Sequence, residues 1–291
     1  MVIGQLIFDG IVMGLVFVIL AAGLVVIVST SKILFLAYAV FYTIGAYTTW
    51  YCMHYLNFPY FIAVIAAVAC SSIISMLSYL LIFRRLQGTK GGGFLATLIA
   101  SVGLLMVLTQ GGMLIYGSTP QSIPPVFGGI LHPFGLNIAS DKLALVVMGI
   151  AITLFLFFVY EKTNFGRSLR AVAYNREAAA LLGINTTLSY MLALAVGCGL
   201  AGFAGWLLAP SYGITPEMGN NVLWTVMLMT MLGGIDSLPG AVLAGLIVGQ
   251  VLSFGQYFIG STVQIYLFLF IGIVLYFRPN GLMGRGVDID V

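Results

Sequence analysis

Apolar runs about as long as a bilayer is thick follow one another along almost the whole chain. They lie near residues 10–30, 33–55, 61–83, 94–116, 142–160, 188–209, 221–235, 238–258 and 262–277. A helix needs about 20 consecutive apolar residues to cross the hydrocarbon core of a membrane. In that core each backbone N–H and C=O must be satisfied within the protein, which leaves helices or closed barrels. Runs of this length predict an all-α polytopic membrane protein with eight to nine transmembrane helices. The seventh run is short, so it is either tilted or only partly inserted. Only 7% of the residues are charged, against about 25% in soluble domains. One transmembrane domain over residues 1–291 is the economical reading. The start, MVIGQLIFDGIVMG, has neither a basic region nor a small-residue cleavage site, so a removable signal peptide is not expected.

Lys and Arg, counted loop by loop, predict the orientation. Lys32, then Arg84, Arg85 and Lys90, then Lys162, Arg167, Arg170 and Arg176, then Arg278 and Arg285 share alternate loops, and only Lys142 falls on the other side. The expectation is an outside N-terminus and a cytoplasmic C-terminus. The net charge of +3 then reflects topology, and nothing suggests nucleic-acid binding. Cys52, Cys70 and Cys198 sit in apolar runs at unrelated spacings. They suit neither a disulfide framework nor a zinc site.

Ion-coupled transporters keep a carboxylate or histidine at depth to bind and release the driving ion. Here Asp9 sits at the outer edge of the first run and Glu217 in an outer loop, while His54 and His132 fall near or in outer loops. Energy for any transport must therefore come from elsewhere. No G-x-x-x-x-G-K-[ST] occurs, so the chain has no Walker A phosphate loop. The run Gly88 to Gly93 reads as a flexible connection into the fourth span. H-E-x-x-H, G-x-S-x-G and paired intramembrane Asp are also absent, which leaves no catalytic constellation.

Gly197, Ala201 and Gly205 in the sixth span, and Ala241, Gly245 and Gly249 in the eighth, recur every four residues. Such rows let helix backbones approach closely, either within the chain or against a second subunit. Polar side chains within the spans are mild: Tyr38, Tyr42 and Thr43 in the second, Thr97 and Ser101 four apart in the fourth, and Gln250, Ser253 and Gln256 in the eighth. Each hydroxyl can satisfy itself on the preceding helical turn. As a set, with Tyr38, Tyr42, Thr97 and Ser101 the leading candidates, they can instead line a path for a polar but uncharged or zwitterionic solute. The outer loop 117–141, with Pro120, Pro124, Pro125 and Pro133, cannot be a helix interior.

One segment stands apart. Glu161 to Asn185 carries six of the chain's nineteen charges between two apolar runs. Asn175 is a good N-cap and Glu177 suits the positive end of a helix. Ala178 to Leu182 favour helix, and Gly183 suits the left-handed position that ends one. The prediction is a helix of about two turns, too short to be stable alone, with Ala178, Leu181 and Leu182 on an apolar side. It rests either on lipid headgroups or in a groove of a cytoplasmic protein.

Gly166-Arg167, Leu169-Arg170-Ala171, Ala178-Ala179 and Leu182-Gly183-Ile184-Asn185 resemble the cytoplasmic signature of branched-chain amino-acid ABC transporter permeases. Leu232 to Ala241 resembles that family's second cytoplasmic motif, and Arg278-Pro279-Asn280-Gly281-Leu282 its C-terminal one. The likeness covers nearly the whole chain and points to the shorter of two related permeases. It implies a multi-pass protein of a bacterial inner membrane, paired with a second permease subunit. Two ATP-binding subunits would carry ATP and Mg, so that this chain binds no cofactor, and a periplasmic solute-binding protein would deliver the solute. The resemblance assigns ATPase coupling to the 161–187 loop, through Arg167, Arg170, Asn175, Glu177, Ala178, Ala179, Leu182 and Gly183. One departure weakens the substrate: where shorter permeases carry an Asn-Phe-Ala-His/Gln-Gly-Glu-like stretch, this chain has Phe35-Leu36-Ala37-Tyr38-Ala39-Val40. Branched-chain or other small amino acids lead, followed by urea, short amides and small aromatic acids. A stand-alone channel for a small neutral solute is the rival from another class.

Overall fold

The computed structural model describes residues 2–32, 34–87, 94–124, 129–131, 138–210 and 213–284. Among these, all regular structure is helical except one antiparallel pair of two-residue strands, β1 (Ile130–Leu131) and β2 (Ile138–Ala139). Lys90, His132 and Arg285, with the 88–93 connection and Pro125 and Pro133 of the outer loop, lie outside the described residues.

Each of the nine apolar runs carries a helix. They are α1 (Val2–Ser31), α2 (Tyr38–His54), α3 (Tyr60–Ser78) and, after a π-helical stretch at Tyr79–Phe83 and the short α4 (Arg84–Gln87), α5 (Phe94–Tyr116). Then come α6 (Ser140–Lys162), the polar-segment helices α7 (Asn164–Tyr174) and α8 (Arg176–Leu181), α9 (Thr186–Leu208), α10 (Met218–Gly233), α11 (Leu238–Ile259) and α12 (Val263–Phe277). Among the described residues six helical segments are long and apolar enough to cross a membrane: Val2–Ser31, Tyr60–Leu86, Leu95–Tyr116, Ser140–Lys162, Thr186–Leu208 and Leu238–Ile259. The chain is a polytopic, helical membrane protein. At 1.5 Å per residue, the 15 residues of α12 span about 22 Å, short of the ~30 Å hydrocarbon core.

The first helix begins eight residues before its apolar run suggests, because Gln5 and Asp9 interrupt the hydropathy and not the helix. It also lies at the centre of the bundle. In both α1 and α9 the most apolar stretch is 83% buried, whereas α3, α6 and α5 bury 28%, 22% and 11% of theirs. Small residues explain the division, since hydrophobicity alone does not separate a helix neighbour from lipid. A Cβ on Gly205 would stand 2.0 Å from the Tyr42 carbonyl oxygen, and one on Gly45 would stand 2.2 Å from that of Gly202. Gly197 faces Ile27 and Gly23 on α1, and Gly202 faces Ser71 and Ala67 on α3. In α11, Gly245 abuts Val18 and Gly249 abuts Gly14. Both small-residue rows are thus occupied by the chain's own helices.

Polar staples fix the register of this core. Tyr60 and Trp206 stack at 4.4 Å, and each donates to the other's carbonyl at 3.0 Å. Thr43 accepts from the Gly219 backbone N–H at 3.0 Å and seats the start of α10 on α2. Such buried bonds contribute about 1 kcal/mol each when made and cost more when one partner is orphaned. The bundle has two distinct ends. One gathers Lys32, Arg84, Arg85, Lys162, Arg167, Arg170, Arg176 and Arg278; the other holds Lys142 and the aromatic group Tyr47, Trp50, His54 and Tyr116.

Candidate functional site

At the basic end, Glu161 to Asn185 folds into two short helices, each started by a side-chain cap. Thr163 caps α7, its hydroxyl accepting from Gly166 N–H at 3.2 Å. Leu169 and Val172 then bury against the bundle. Asn175 turns the chain and caps α8, its side-chain oxygen accepting from Ala178 N–H at 3.0 Å. At the far end Gly183 has φ +82°, its N–H bonds Ala180 C=O, and Ile184 N–H bonds Ala179 C=O, both at 3.0 Å. That pair of bonds closes a helix over a left-handed residue. Asn185 starts α9 in the same way, accepting from Leu188 N–H at 3.1 Å. Three caps within 23 residues make a stiff projection from a segment too short to hold its shape by propensity.

This projection presents an apolar tip. Ala179 is buried and packs α8 onto the chain, while Tyr174, Leu181 and Leu182 are 96%, 89% and 82% exposed. Glu177, Ala178 and Gly183 are exposed beside them. Exposed aliphatic side chains on a rigid, charge-flanked knob are the pattern of an anchor that fills a pocket on another protein.

The two arginines differ. Arg167 is exposed. Arg170 instead bonds the Tyr160 and Glu161 carbonyls, pairs with the Glu161 carboxylate at 3.2 Å and lies over the Tyr160 ring. Those carbonyls are the unsatisfied C-terminal acceptors of α6, so Arg170 joins α6 to α7. Gly166 permits the joint, because a Cβ there would meet the Tyr160 carbonyl oxygen at 2.0 Å. Arg176 lies over the Tyr190 ring of α9.

The other two sequence motifs meet each other at this same end. Leu282 and Met283 donate their N–H groups to the Leu232 and Gly233 carbonyls at 2.7 and 3.2 Å. Gly234 and Gly281, both at positive φ, sit at the crossing. Ser237 caps α11 by accepting from Gly240 N–H, and Asp236 pairs with Lys32 at 3.6 Å.

Of the four leading passage residues, Tyr38 and Tyr42 lie one turn apart on α2 and Thr97 and Ser101 one turn apart on α5, whose Ser101 hydroxyl reaches the Leu34 carbonyl just before α2 at 3.5 Å. Tyr38 is buried between α1 and α9 and donates to the Leu20 carbonyl at 2.8 Å. Ser101 is buried and bonds the Leu98 carbonyl, and Thr97 is buried one turn earlier on α5. Tyr42 lines a cavity of about 290 Å³ with Met13, Phe17, Leu208, Met218 and Asn221. A second cavity of about 770 Å³ lies at the end opposite the basic cluster and is lined by Asp9, Lys142, Ser253, Gln256 and Gln264. The structure pairs Lys142, the one basic residue placed on this side by sequence, with Asp9 at 2.6 Å. No sequence pattern links residues 133 positions apart, so the pair was not foreseeable.

Residues 6–278 match the family model described as branched-chain amino acid transport system / permease component. The chain is 28% identical to the high-affinity branched-chain amino acid transport system permease protein BraD of Pseudomonas aeruginosa, over 97% of this chain and 95% of that one. It is 26% identical to the corresponding permease protein LivH of Escherichia coli, again over 97% and 95%. Among solved structures, PsaBC from Streptococcus pneumoniae in complex with Fab aligns with a TM-score of 0.53 at 14% identity, covering 94% of this chain and 91% of that one. At that identity the likeness concerns the fold alone.

Proposed function

Because this chain belongs to the family of branched-chain amino acid transport permease components, we propose that it is the shorter permease subunit of an ATP-driven importer. It is a transport component and not an enzyme. In this reading the N-terminus lies outside, the basic end faces the cytoplasm of a bacterium, and residues 161–187 receive the ATPase. A second related permease pairs with it in the inner membrane. Two ATP-binding subunits hold ATP and Mg below, and a periplasmic binding protein supplies branched-chain or other small amino acids. The observation that carries the reading is the capped knob: an aliphatic tip, 82–89% exposed at Leu181 and Leu182, on the end rich in Lys and Arg.

Work passes through a chain of rigid joints. ATP binding closes the two ATPase subunits and displaces the knob. The Asn175, Gly183 and Asn185 caps and the Arg170 clamp keep α7 and α8 from absorbing that displacement. It reaches α6 at Tyr160 and α9 at Asn185, and α9 is packed glycine-to-backbone on α1, α2 and α3. ATP and delivered solute must favour different arrangements of these helices, since a ligand shifts an equilibrium only by its differential affinity. Arg170 acts here by positioning, and Arg167 and Glu177 remain exposed for contact with the partner.

The test is reconstitution with the ATPase subunits, second permease and binding protein encoded beside it. ATP-dependent leucine uptake into proteoliposomes, with copurification of the ATPase, is the expected result. Brisk solute flux by the permease alone without nucleotide would instead establish the channel reading. Gly183→Val probes the knob directly. Nothing lies within 4 Å of its added Cβ, so the whole effect is backbone strain, of about 1–3 kcal/mol. ATPase copurification should fall by about tenfold or more, and Gly183→Asn, which tolerates the left-handed conformation, should restore most of it. Equal copurification by all three proteins would exclude α8 as the contact.

A further inference from the structure

Lys142 donates to Asp9 at 2.6 Å, joining α6 to α1, yet neither charge is sealed away: their side chains are 38% and 33% exposed. Both border the 770 Å³ cavity, where Gln256 and Gln264 add exposed amides and Ser253 is tied to the Leu6 carbonyl. Met13, Phe17 and Leu208 border this cavity and the 290 Å³ one alike. The two therefore adjoin across those three side chains, as halves of a divided hollow. An ion pair marks one half, and Val16, Leu20 and Val222 make the other largely apolar.

We propose that this hollow binds a zwitterionic amino acid with an apolar side chain, Asp9 accepting from its α-ammonium and Lys142 donating to its α-carboxylate. The inference rests on the importer reading and names the recognition groups within it. A zwitterion laid antiparallel to the ion pair makes four charges alternate in sign, so that near attractions outweigh diagonal repulsions. Charge-assisted hydrogen bonds of this kind are about twice as strong as neutral ones. A solute with only an ammonium meets Lys142 without compensation, and one with only a carboxylate meets Asp9. Amides and urea bring no charge to either. The apolar half then rewards burial of the side chain.

Thermal unfolding of the permease–ATPase complex, in phosphatidylglycerol nanodiscs and without binding protein, tests the site. The probes are L-leucine, L-leucinamide (ammonium only) and 4-methylpentanoate (carboxylate only), each titrated through the millimolar range. Leucine alone should stabilise the unchanged complex. Asp9→Asn should weaken the leucine effect by about tenfold and let 4-methylpentanoate stabilise; Lys142→Gln should do the same for leucinamide. Should either single variant fail to assemble, the charge-exchanged pair D9K/K142D keeps the ion pair. It should assemble normally and still respond to leucine alone, because a half-turn about the leucine Cα–Cβ bond exchanges ammonium and carboxylate and leaves the side chain in the apolar half; loss of that response would overturn the site. Single variants that lower stability without exchanging ligand preference would reduce the pair to a structural staple and overturn the site. Stabilisation by added phosphatidylethanolamine but not by leucine, abolished by Asp9→Asn, would overturn it in favour of a lipid headgroup. ATP-driven leucine uptake by the unchanged transporter separates the two levels. Uptake present with no exchange of preference removes the site alone, and uptake absent removes the importer reading with it.

Discussion

Replacing Leu181 and Leu182 together by Asp should uncouple this permease from its ATPase while leaving it folded. Both side chains stand in solvent, 89% and 82% exposed, so the bundle loses no packing. In the proposed complex both are buried, and burying a leucine contributes about 1.5–3 kcal/mol. Losing two therefore weakens docking by about two to four orders of magnitude, before the cost of placing carboxylates in an apolar pocket. Expected are unchanged yield and thermal midpoint of the permease, no ATPase on copurification, and no ATP-dependent uptake. Tyr174→Ser, at 96% exposure on the same tip, should act in the same direction with a smaller effect. A double variant that imports normally would dismiss the tip as a contact, and the docking surface would have to lie elsewhere on the basic end.

Gly205→Val should have the opposite profile, destroying the fold with no direct effect on docking. The new Cβ would lie 2.0 Å from the Tyr42 carbonyl oxygen and 2.9 Å from the Ala46 nitrogen. Overpacking a core commonly costs about 1–3 kcal/mol because side chains can shift aside. Here the obstacle is backbone. Relief requires α2 and α9 to separate, and they are locked again at Gly45 against Gly202 and share contacts with α1 and α3. The expected result is failure to accumulate as a monodisperse species after detergent extraction. Gly103→Ala on α5, with nothing within 4 Å of its Cβ, is the control. It should be neutral or slightly stabilising, since Ala favours helix over Gly by about 1 kcal/mol. Equal behaviour of the two variants would contradict the packing described for α9.

Much of this was legible in the sequence for identifiable reasons. Apolar run length located every long helix, because the bilayer sets a minimum length irrespective of tertiary context. Asn175 and Gly183 announced their turns, since capping is local chemistry. What stayed hidden was the inward face of each helix. The spans are apolar all round, so periodicity carries no direction, and Thr97 and Ser101 on the peripheral α5 looked as central as Tyr42. Small-residue rows pointed to close approach without naming the neighbour: Gly197 meets α1, Gly202 meets α3 and Gly205 meets α2. The hold of Arg170 on the end of α6 was hidden, because its acceptors are backbone carbonyls that no side-chain pattern discloses. Membership of the family came from three motifs in order, and two of them, around Gly234 and Gly281, prove to be one joint.

The burial of α1 has a consequence for how the protein is made. This helix is synthesised well before its central neighbours α9 and α11, which begin only at residues 186 and 238. Throughout synthesis of the intervening chain, the glycine notches at Gly14 and Gly23 have lipid against them in place of Gly249 and Gly197. Fragments ending before α9 therefore lack the partner that defines the middle. An early helix is thus enclosed only when late ones arrive.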